Sequence, residues 1–367
     1  MNLSATEAPG FFSPFENMQE YNHEQLVFCQ EKELGLKAII CIHDTTLGPS
    51  CGGTRMWNYA SEQEAIQDAL RLARGMTYKS AMAGIDAGGG KAVIIGDPAE
   101  IKSEALFRRF GQFINSLGGR YVTACDVNMT MQDLEMIYKS TPYVVGLPET
   151  LGGSGASSII TAYGTYMGIK AGVKEVFGTE NLEGKKVAIQ GVGGVGYKLA
   201  EYLSKEGATL FISDYDQRKL LATSKASGAH FVDVDEIYDV DADVYAPCAL
   251  GATVNDLTIP RLKCKVIAGA ANNQLADENK HARALEEKGI LYAPDFLVNG
   301  GGITAVVSEY YKQFNKEHLF HQVEDVYNKC IEVFRTSEQQ KITTHEAAMQ
   351  MARRRIEAVN SIKGKTF

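Results

Sequence analysis

Residues 185–214 read "KKVAIQGVGGVGYKLAEYLSKEGATLFISD". An apolar strand runs into Gly191, Gly193 and Gly196, a helix opens at once, and a second strand ends on Asp214. In that setting the G-x-G-x-x-G spacing has a mechanism. Gly191 permits a tight turn, Gly193 lets the backbone approach a pyrophosphate, and Gly196 lets helix pack closely on strand. Val192, Gly194 and Val195 complete the loop, whose helix N-terminus faces the anion. Asp214 suits a pair of ribose hydroxyls and repels a 2′-phosphate, which favours NAD over NADP; Arg218 and Lys219, close behind, soften that preference.

Working outward, strands and helices alternate at βαβ length to about residue 305. "KKVAIQ", "TLFISD", "HFVD", "ADVYAPC", "KVIAGAAN" and "ILYAPD" each fit a short buried strand of a parallel sheet, which predicts a doubly wound nucleotide fold. Upstream, "LKAIICIHD", "KAVIIGD", "GRYVTACDV" and "YVVGL" read as strands of a second α/β domain. Between them "SEQEAIQDALRLARG" predicts a helix that starts at Ser61, with Glu64 at capping-box spacing, and ends at Gly75. Another helix is expected over roughly 101–116. The Gly-rich "LGGSGASS" at 151–158 marks the break between domains, and a helix follows it. After 315 the chain reads as helical, closing on the amphipathic "HEAAMQMARRRIEAVNSI".

Composition bounds the function. The 367 residues are long enough for two cores, and a net charge of −8 argues against a nucleic-acid partner. Hydrophobic residues make up 45% with no membrane-length apolar run. The seven cysteines are scattered and form no C-x-x-C pair, so no disulfide framework or metal site is expected. The N-terminal "MNLSATEAPGFFSPFENMQE" reads as a loose lead-in rather than a secretion signal, and a cytoplasmic protein is expected.

"GMTYKSAMAGIDAGGGK", residues 75–91, sets Lys79 and Lys91 among small, largely uncharged residues. A desolvated lysine, or one beside another cation, has a depressed pKa and can act as a base. The glycines before Lys91 would let a substrate approach the backbone. From the residues alone, two solvated loop lysines fit equally well.

Further motifs tip that balance. "HDTTLGP", "GGTRMW", "DALRLARGMTYK", "AGGGKAVIIGDP", "QGVGGVG", "YAPCALGA" and "KVIAGAANNQL" fall between residues 43 and 275, and with them the chain, over residues 24 to about 310, resembles the amino acid dehydrogenases of the glutamate, leucine, phenylalanine and valine group. The resemblance implies an α/β fold of two domains, an N-terminal substrate and oligomerisation domain and a Rossmann-type NAD-binding domain, with an active-site cleft between them that closes in catalysis. Residues 1–148, joined by C-terminal helices at about 335–367, would form the first, and 149–334 the second. It implies that Lys79 binds the substrate carboxylate, that Lys91, its pKa lowered by Lys79 and burial, is the catalytic base, and that Asp126 in "TACDV" helps proton transfer at the amine. Gly52 and Gly53 would line the substrate cleft, while Thr161, the 191–196 loop, Asp214, Ala249 and Asn273 would contact NAD. Without the family, Asp126 reads as a turn cap and Asn273 as a loop amide.

Departures from the family pattern cluster near the substrate side. Cys51 stands where an apolar residue usually precedes the glycines, "CDVNMT" replaces "EDVGTT", and "VNGGGITAVVSE" replaces "INAGGVINVADE". Cys51, Ala124, Ile303 and Val306 are expected to form a small apolar slot for leucine, isoleucine or valine. Phenylalanine or tryptophan as substrate, or a sensor that binds dinucleotide without catalysis, stand as alternatives. The resemblance also implies a homo-oligomer, an octamer; from composition and charge no metal, no nucleic acid and no membrane partner is expected.

Overall fold

The computed structural model describes residues 13–155 and 157–363. Contacts divide the chain into two units: residues up to Thr77 with Asp86–Leu147, and Tyr78–Ile85 with Pro148 onward. In the first, the elements are α1 (Pro14–Tyr21), β1 (Gln25–Glu31), β2 (Leu36–Asp44), β3 (Ser50–Trp57), α2 (Glu62–Ala83), β4 (Gly88–Ile95), α3 (Pro98–Ile101), α4 (Glu104–Ser116), β5 (Tyr121–Cys125) and α5 (Met131–Tyr138). The last turns of α2 group with the second unit.

The five strands form one sheet in the order β1-β2-β4-β3-β5. β1 with β2 and β2 with β4 run antiparallel, whereas β3 lies parallel to both β4 and β5. Alternation sends successive side chains to opposite faces. On one face Ile40, Ile42, Ala92, Ile94 and Tyr121 pack with Leu106, Phe107, Phe110 and Ile114 of α4. On the other, Ile39, Cys41 and Val93 pack with Ala65, Ile66, Ala69, Leu70 and Ala73 of α2. Lys91, two residues before Val93, projects toward the α2 face.

Ser61 caps α2 as its sequence predicts, its Oγ accepting from Glu64 N at 3.1 Å, while the Glu64 carboxylate reaches Ala60 N at 2.8 Å. The helix then runs through Gly75 instead of ending there. Glycine weakens a helix interior by about 1 kcal/mol, and packing overrides it: α2 lies so close to β4 that a Cβ on Gly89 would sit 2.0 Å from Thr77 Oγ1 and 2.5 Å from Ala73 O. "GMTYK" is therefore helical. "YVVGL" contributes only a bridge between Val144 and Thr123 rather than a strand, and the "GGTRMW" motif, given no element in the sequence, forms most of β3. Part of the expected lead-in is the helix α1, capped by Ser13; residues 1–12 lie outside the described residues.

A buried histidine pair links α1, β2 and α2. His43 is 5% exposed; its Nε2 donates to Tyr21 O at 3.0 Å and its Nδ1 accepts from Thr77 Oγ1 at 2.8 Å. Its ring lies 4.6 Å from that of His23. Burial, then the neighbouring His23, pushes the His43 pKa down to about 4, from 6.5 in an unfolded chain. The folded state therefore resists protonation: the stability is present above pH 6.5 and is lost as pH falls through 4. Denaturant unfolding should lose about 2 kcal/mol between pH 7 and pH 5 from this ring alone. His43→Asn should flatten the slope, and an unchanged slope would rule the ring out.

The second unit holds α6 (Ser157–Phe177), β6 (Lys186–Gln190), α7 (Gly194–Lys205), β7 (Thr209–Ser213), α8 (Gln217–Ser227), β8 (His230–Phe231), β9 (Val244–Pro247), β10 (Val266–Ile267), α9 (Glu278–Glu287), β11 (Leu291–Tyr292), α10 (Asp295–Val298), α11 (Gly301–Tyr310), α12 (Lys316–Gln340) and α13 (Thr344–Lys363). All six strands sit where their apolar runs predict. They are parallel, in the order β11-β10-β9-β6-β7-β8, the doubly wound arrangement whose strand order reverses between β6 and β9.

Residues 335–367, joined by the sequence reading to the first unit, group with the second as far as they are described. α12 runs unbroken across Phe334 and packs along α6, and α13 packs on α12 and α9. Arg355 of α13 donates to Ile85 O at 2.8 Å, and Ile85 too belongs to this unit.

Candidate active site

In the first unit β3, β4 and β5 present a charged cluster on the α2 face. Lys91 is 5% exposed, and its Nζ donates to Asp126 Oδ2 at 2.6 Å. Arg55 Nε donates to the same oxygen at 3.0 Å. The Arg55 guanidinium reaches Asp68 Oδ2 of α2 at 2.9 Å through Nη1, and Tyr59 donates its hydroxyl to that oxygen at 2.7 Å. Arg71 meets Asp68 Oδ1 at 3.2 Å.

Two opposed effects act on Asp126. Burial alone would raise its pKa, but Lys91 and Arg55 outweigh that and hold the carboxyl below the usual carboxylate range. For Lys91 burial dominates over the pull of Asp126 and drives the pKa below that of an ordinary lysine. Arg55 is the cation that adds to this lowering, the part the sequence reading gave to Lys79. The outcome is an ionised carboxylate beside a lysine whose proton is loosened.

The glycines before Lys91 face protein, not open space. A Cβ on Gly88 would meet Asp44 O at 2.0 Å, and one on Gly90 would meet Tyr121 Cδ2 at 2.8 Å. Their absent side chains let β4 sink between its neighbours and carry Lys91 into the interior, which replaces the expected role of substrate access. Gly52 behaves alike, since a Cβ there would lie 1.7 Å from Gly90 O. At Gly53 the space goes to the site itself: a Cβ would come within 2.8 Å of Asp126 Cβ.

The second unit holds the dinucleotide candidates. Gly191 adopts φ +92°, and a Cβ there would meet Ala249 Cβ at 2.5 Å. Gly191 and Ala249 thus meet just past the C-terminal ends of β6 and β9, at the switch point where such sheets bind ligands. Gly196 lies against Gly191 O, 2.0 Å from where its Cβ would be, whereas nothing stands within 4 Å of a Cβ on Gly193. No side chain caps the N-terminus of α7. Asp214 braces the loop, accepting from Val192 N at 2.9 Å on Oδ2 and from Asp216 N at 2.9 Å on Oδ1. Beyond it a cavity of about 510 Å³ is lined by Tyr215, Leu220 and Phe231 and by the carboxylates of Asp214, Asp233 and Glu236. A bare helix terminus, an open glycine and an anionic cavity fit a dinucleotide without a 2′-phosphate.

Residues 23–143 match the model of the Glu/Leu/Phe/Val dehydrogenase dimerisation domain, and residues 211–364 that of the Glutamate/Leucine/Phenylalanine/Valine dehydrogenase domain. The chain belongs to this family. It is 53% identical to leucine dehydrogenase of Thermoactinomyces intermedius over 349 residues, 95% of each chain. Phenylalanine dehydrogenase of Lysinibacillus sphaericus is 50% identical, covering 92% of this chain and 89% of its own. The crystal structure of L-tryptophan dehydrogenase from Nostoc punctiforme superposes with a TM-score of 0.82 at 44% identity, covering 94% of this chain and 99% of that one. This member of the Glu/Leu/Phe/Val dehydrogenases is accordingly an NAD-dependent amino acid dehydrogenase.

Within this dehydrogenase the remaining sequence candidates are distributed as follows. Cys51 is buried in β3 and Ala124 partly buried in β5, both on the α2 face; Ile303 and Val306 are buried in α11 of the second unit. Lys79 groups with the second unit, where its Nζ donates to Asn272 Oδ1 at 3.1 Å. The Asn299 amide donates to the same oxygen at 2.8 Å. Thr161 turns its hydroxyl to Ser157 O at 2.8 Å, and Asn273, at φ +51°, accepts from Ala252 N at 2.7 Å through its carbonyl. Asn128 also adopts a left-handed φ of +59°, a conformation asparagine tolerates as glycine does, so the turn after Asp126 survives the change from the family pattern. Burial and the adjacent Asp126 push the Cys125 thiol up, so it stays protonated. Sequence reasoning missed Arg55, Asp68, Asn272 and Asn299. Arg55, Asp68 and Asn272 lie inside the family motifs, Asp68 as the first residue of "DALRLARGMTYK", yet Asp68 looks like any exposed helix acid until the fold places it. Among the described residues no cluster of His, Cys, Asp or Glu is placed to hold a metal ion, and no helix is long and apolar enough to cross a membrane.

Proposed function

We propose that this chain catalyses the reversible, NAD-dependent oxidative deamination of leucine and other branched-chain L-amino acids to the 2-oxo acid and ammonia, with Lys91 as the catalytic base. The observation that carries this is the buried 2.6 Å contact between Lys91 and Asp126. A sensor that only binds dinucleotide has no use for a desolvated lysine held against a carboxylate. The branched-chain preference rests on the identity with leucine dehydrogenase and on Cys51, Ala124, Ile303 and Val306, which offer apolar surface and no charge for a second carboxylate.

The residues divide the work. Lys79, held by Asn272, binds the substrate carboxylate. Gly191–Gly196, Thr161, Asp214, Ala249 and Asn273 hold NAD, which when bound takes the hydride from the substrate α-carbon. Lys91, in its neutral form, accepts a proton at Nζ from the water that adds to that carbon. Asp126, anionic at rest, takes a proton from the substrate ammonium and returns it to the departing amine, and collapse of the adduct yields the oxo acid and ammonia. The 50% identity with a phenylalanine dehydrogenase supports a second reading in which aromatic amino acids are the substrates. The enzyme works as a cytoplasmic homo-oligomer, an octamer by family resemblance.

Initial rates of NADH formation with a panel of L-amino acids test the substrate. Leucine, isoleucine and valine should lead, separated from one another by about 10–200-fold at most, since a methylene in an apolar pocket is worth about 1–3 kcal/mol. An aromatic preference would favour the second reading, and no signal with any amino acid would end both. For the cofactor, Gly193→Val places a side chain where nothing now stands within 4 Å. NAD affinity should fall at least about tenfold while the melting temperature stays put, because only the approach of the pyrophosphate is blocked. Unchanged affinity would move the dinucleotide elsewhere.

A further inference from the structure

Asp126 takes two cations on one oxygen. Lys91 Nζ and Arg55 Nε both donate to Oδ2, at 2.6 and 3.0 Å, and among the described residues no hydrogen bond reaches Oδ1. Arg55 is itself tied down, since Asp68 accepts from its Nη1 at 2.9 Å while Tyr59 and Arg71 hold Asp68. Side chains at these positions are mostly buried, with Arg55 at 22%, Asp68 at 14% and Asp126 at 20% exposure.

We infer that Arg55, anchored by Asp68, is a positioning residue that fixes the Asp126 carboxylate so that Oδ2 stays on Lys91 and Oδ1 is presented to the substrate amine. This rests on the assignment of Lys91 and Asp126 proposed above. The chemistry requires such a brace. When Lys91 is neutral, an isolated Asp126 would lose its only cationic partner, and its carboxylate could rotate or take up a proton. Arginine stays charged throughout and its planar fork fixes direction as well as charge. At rest Asp126 is therefore anionic and aimed whichever form Lys91 takes, ready to exchange a proton with the substrate amine.

Opposite charge changes at the two ends of the brace give the test. Arg55→Gln removes the guanidinium; kcat should fall about 10–100-fold, the cost of misplacing a reacting group by around an ångström, with KM for leucine changing less than about threefold. Because the lost cation had favoured neutral Lys91, the ascending limb of the kcat pH profile should move up by about half a unit to one unit. Asp68→Asn removes an anion instead, so kcat should also fall while the limb moves slightly the other way. Arg55→Lys should restore the limb but not the rate, since it keeps the charge and loses the fork. A merely structural arginine would lower the amount of folded enzyme and leave every limb in place, which would overturn the inference. So would a crystal structure of Arg55→Gln with the Asp126 carboxylate unmoved, a readout that stands even if wild type turned over no amino acid. Absence of wild-type turnover would instead strike the proposed function.

Discussion

Lys91→Ala should lower kcat for leucine oxidation by about 10²–10⁴-fold, the range that a positioned general base contributes, while NAD still binds with wild-type affinity. The two effects separate because Lys91 sits on β4 of the first unit, whereas the glycine loop and Asp214 belong to the second. Folding should survive the change. Arg55 stays on Asp126 at 3.0 Å, so no buried carboxylate is left without a cation, and the destabilisation should stay near that of an ordinary core truncation. Stopped-flow kinetics with a parallel titration of NAD by fluorescence would check both parts. Loss of NAD binding together with turnover would show that Lys91 serves the cofactor or the fold rather than the chemistry.

The second large effect concerns Gly52. A methyl group there would lie 1.7 Å from Gly90 O, well inside any tolerated contact, so β3 and β4 must part where they carry Arg55 and Lys91. Gly52→Ala should cost about 4 kcal/mol or more, which lowers the melting temperature by about 10 °C or leaves the protein insoluble. Gly193→Ala, with open space around its Cβ, should melt close to wild type and serves as the control. If Gly52→Ala instead folded normally and only raised KM, Gly52 would line the substrate site, as the family resemblance implies, without the structural role that the packing indicates.

The parallel sheet of the second unit was legible residue by residue. Its strands are short apolar runs bounded by turn residues, and the glycine spacing between β6 and α7 has few other uses. The first unit was harder to read. Gly75 looks like the end of a helix, yet α2 runs through it, because close packing of α2 and β4 outweighs local preference. Lys91 and Asp126 were legible as a pair only through family motifs; 35 residues apart in sequence, they meet because β3 pairs with both β4 and β5. Arg55 and Asp68 lie in the same family motifs, but nothing local marks a surface-type arginine and a helix acid as buried partners. The C-terminal helices, which the family resemblance joins to the first unit, group by contacts with the second; their amphipathic pattern shows that a face is covered, not by what.

The proposed base is a buried lysine rather than a solvated one. The pH dependence of kcat/KM for leucine in the wild-type enzyme tests it most directly, because that profile reports the free enzyme's essential groups. Activity should rise with pH through a group titrating clearly below the ordinary lysine range, since burial, helped by Arg55, disfavours the ammonium of Lys91 more than Asp126 favours it. The limb should vanish in Lys91→Ala, leaving only a flat residual rate. A limb at the ordinary lysine position, or one that persists unchanged in Lys91→Ala, would contradict the assignment.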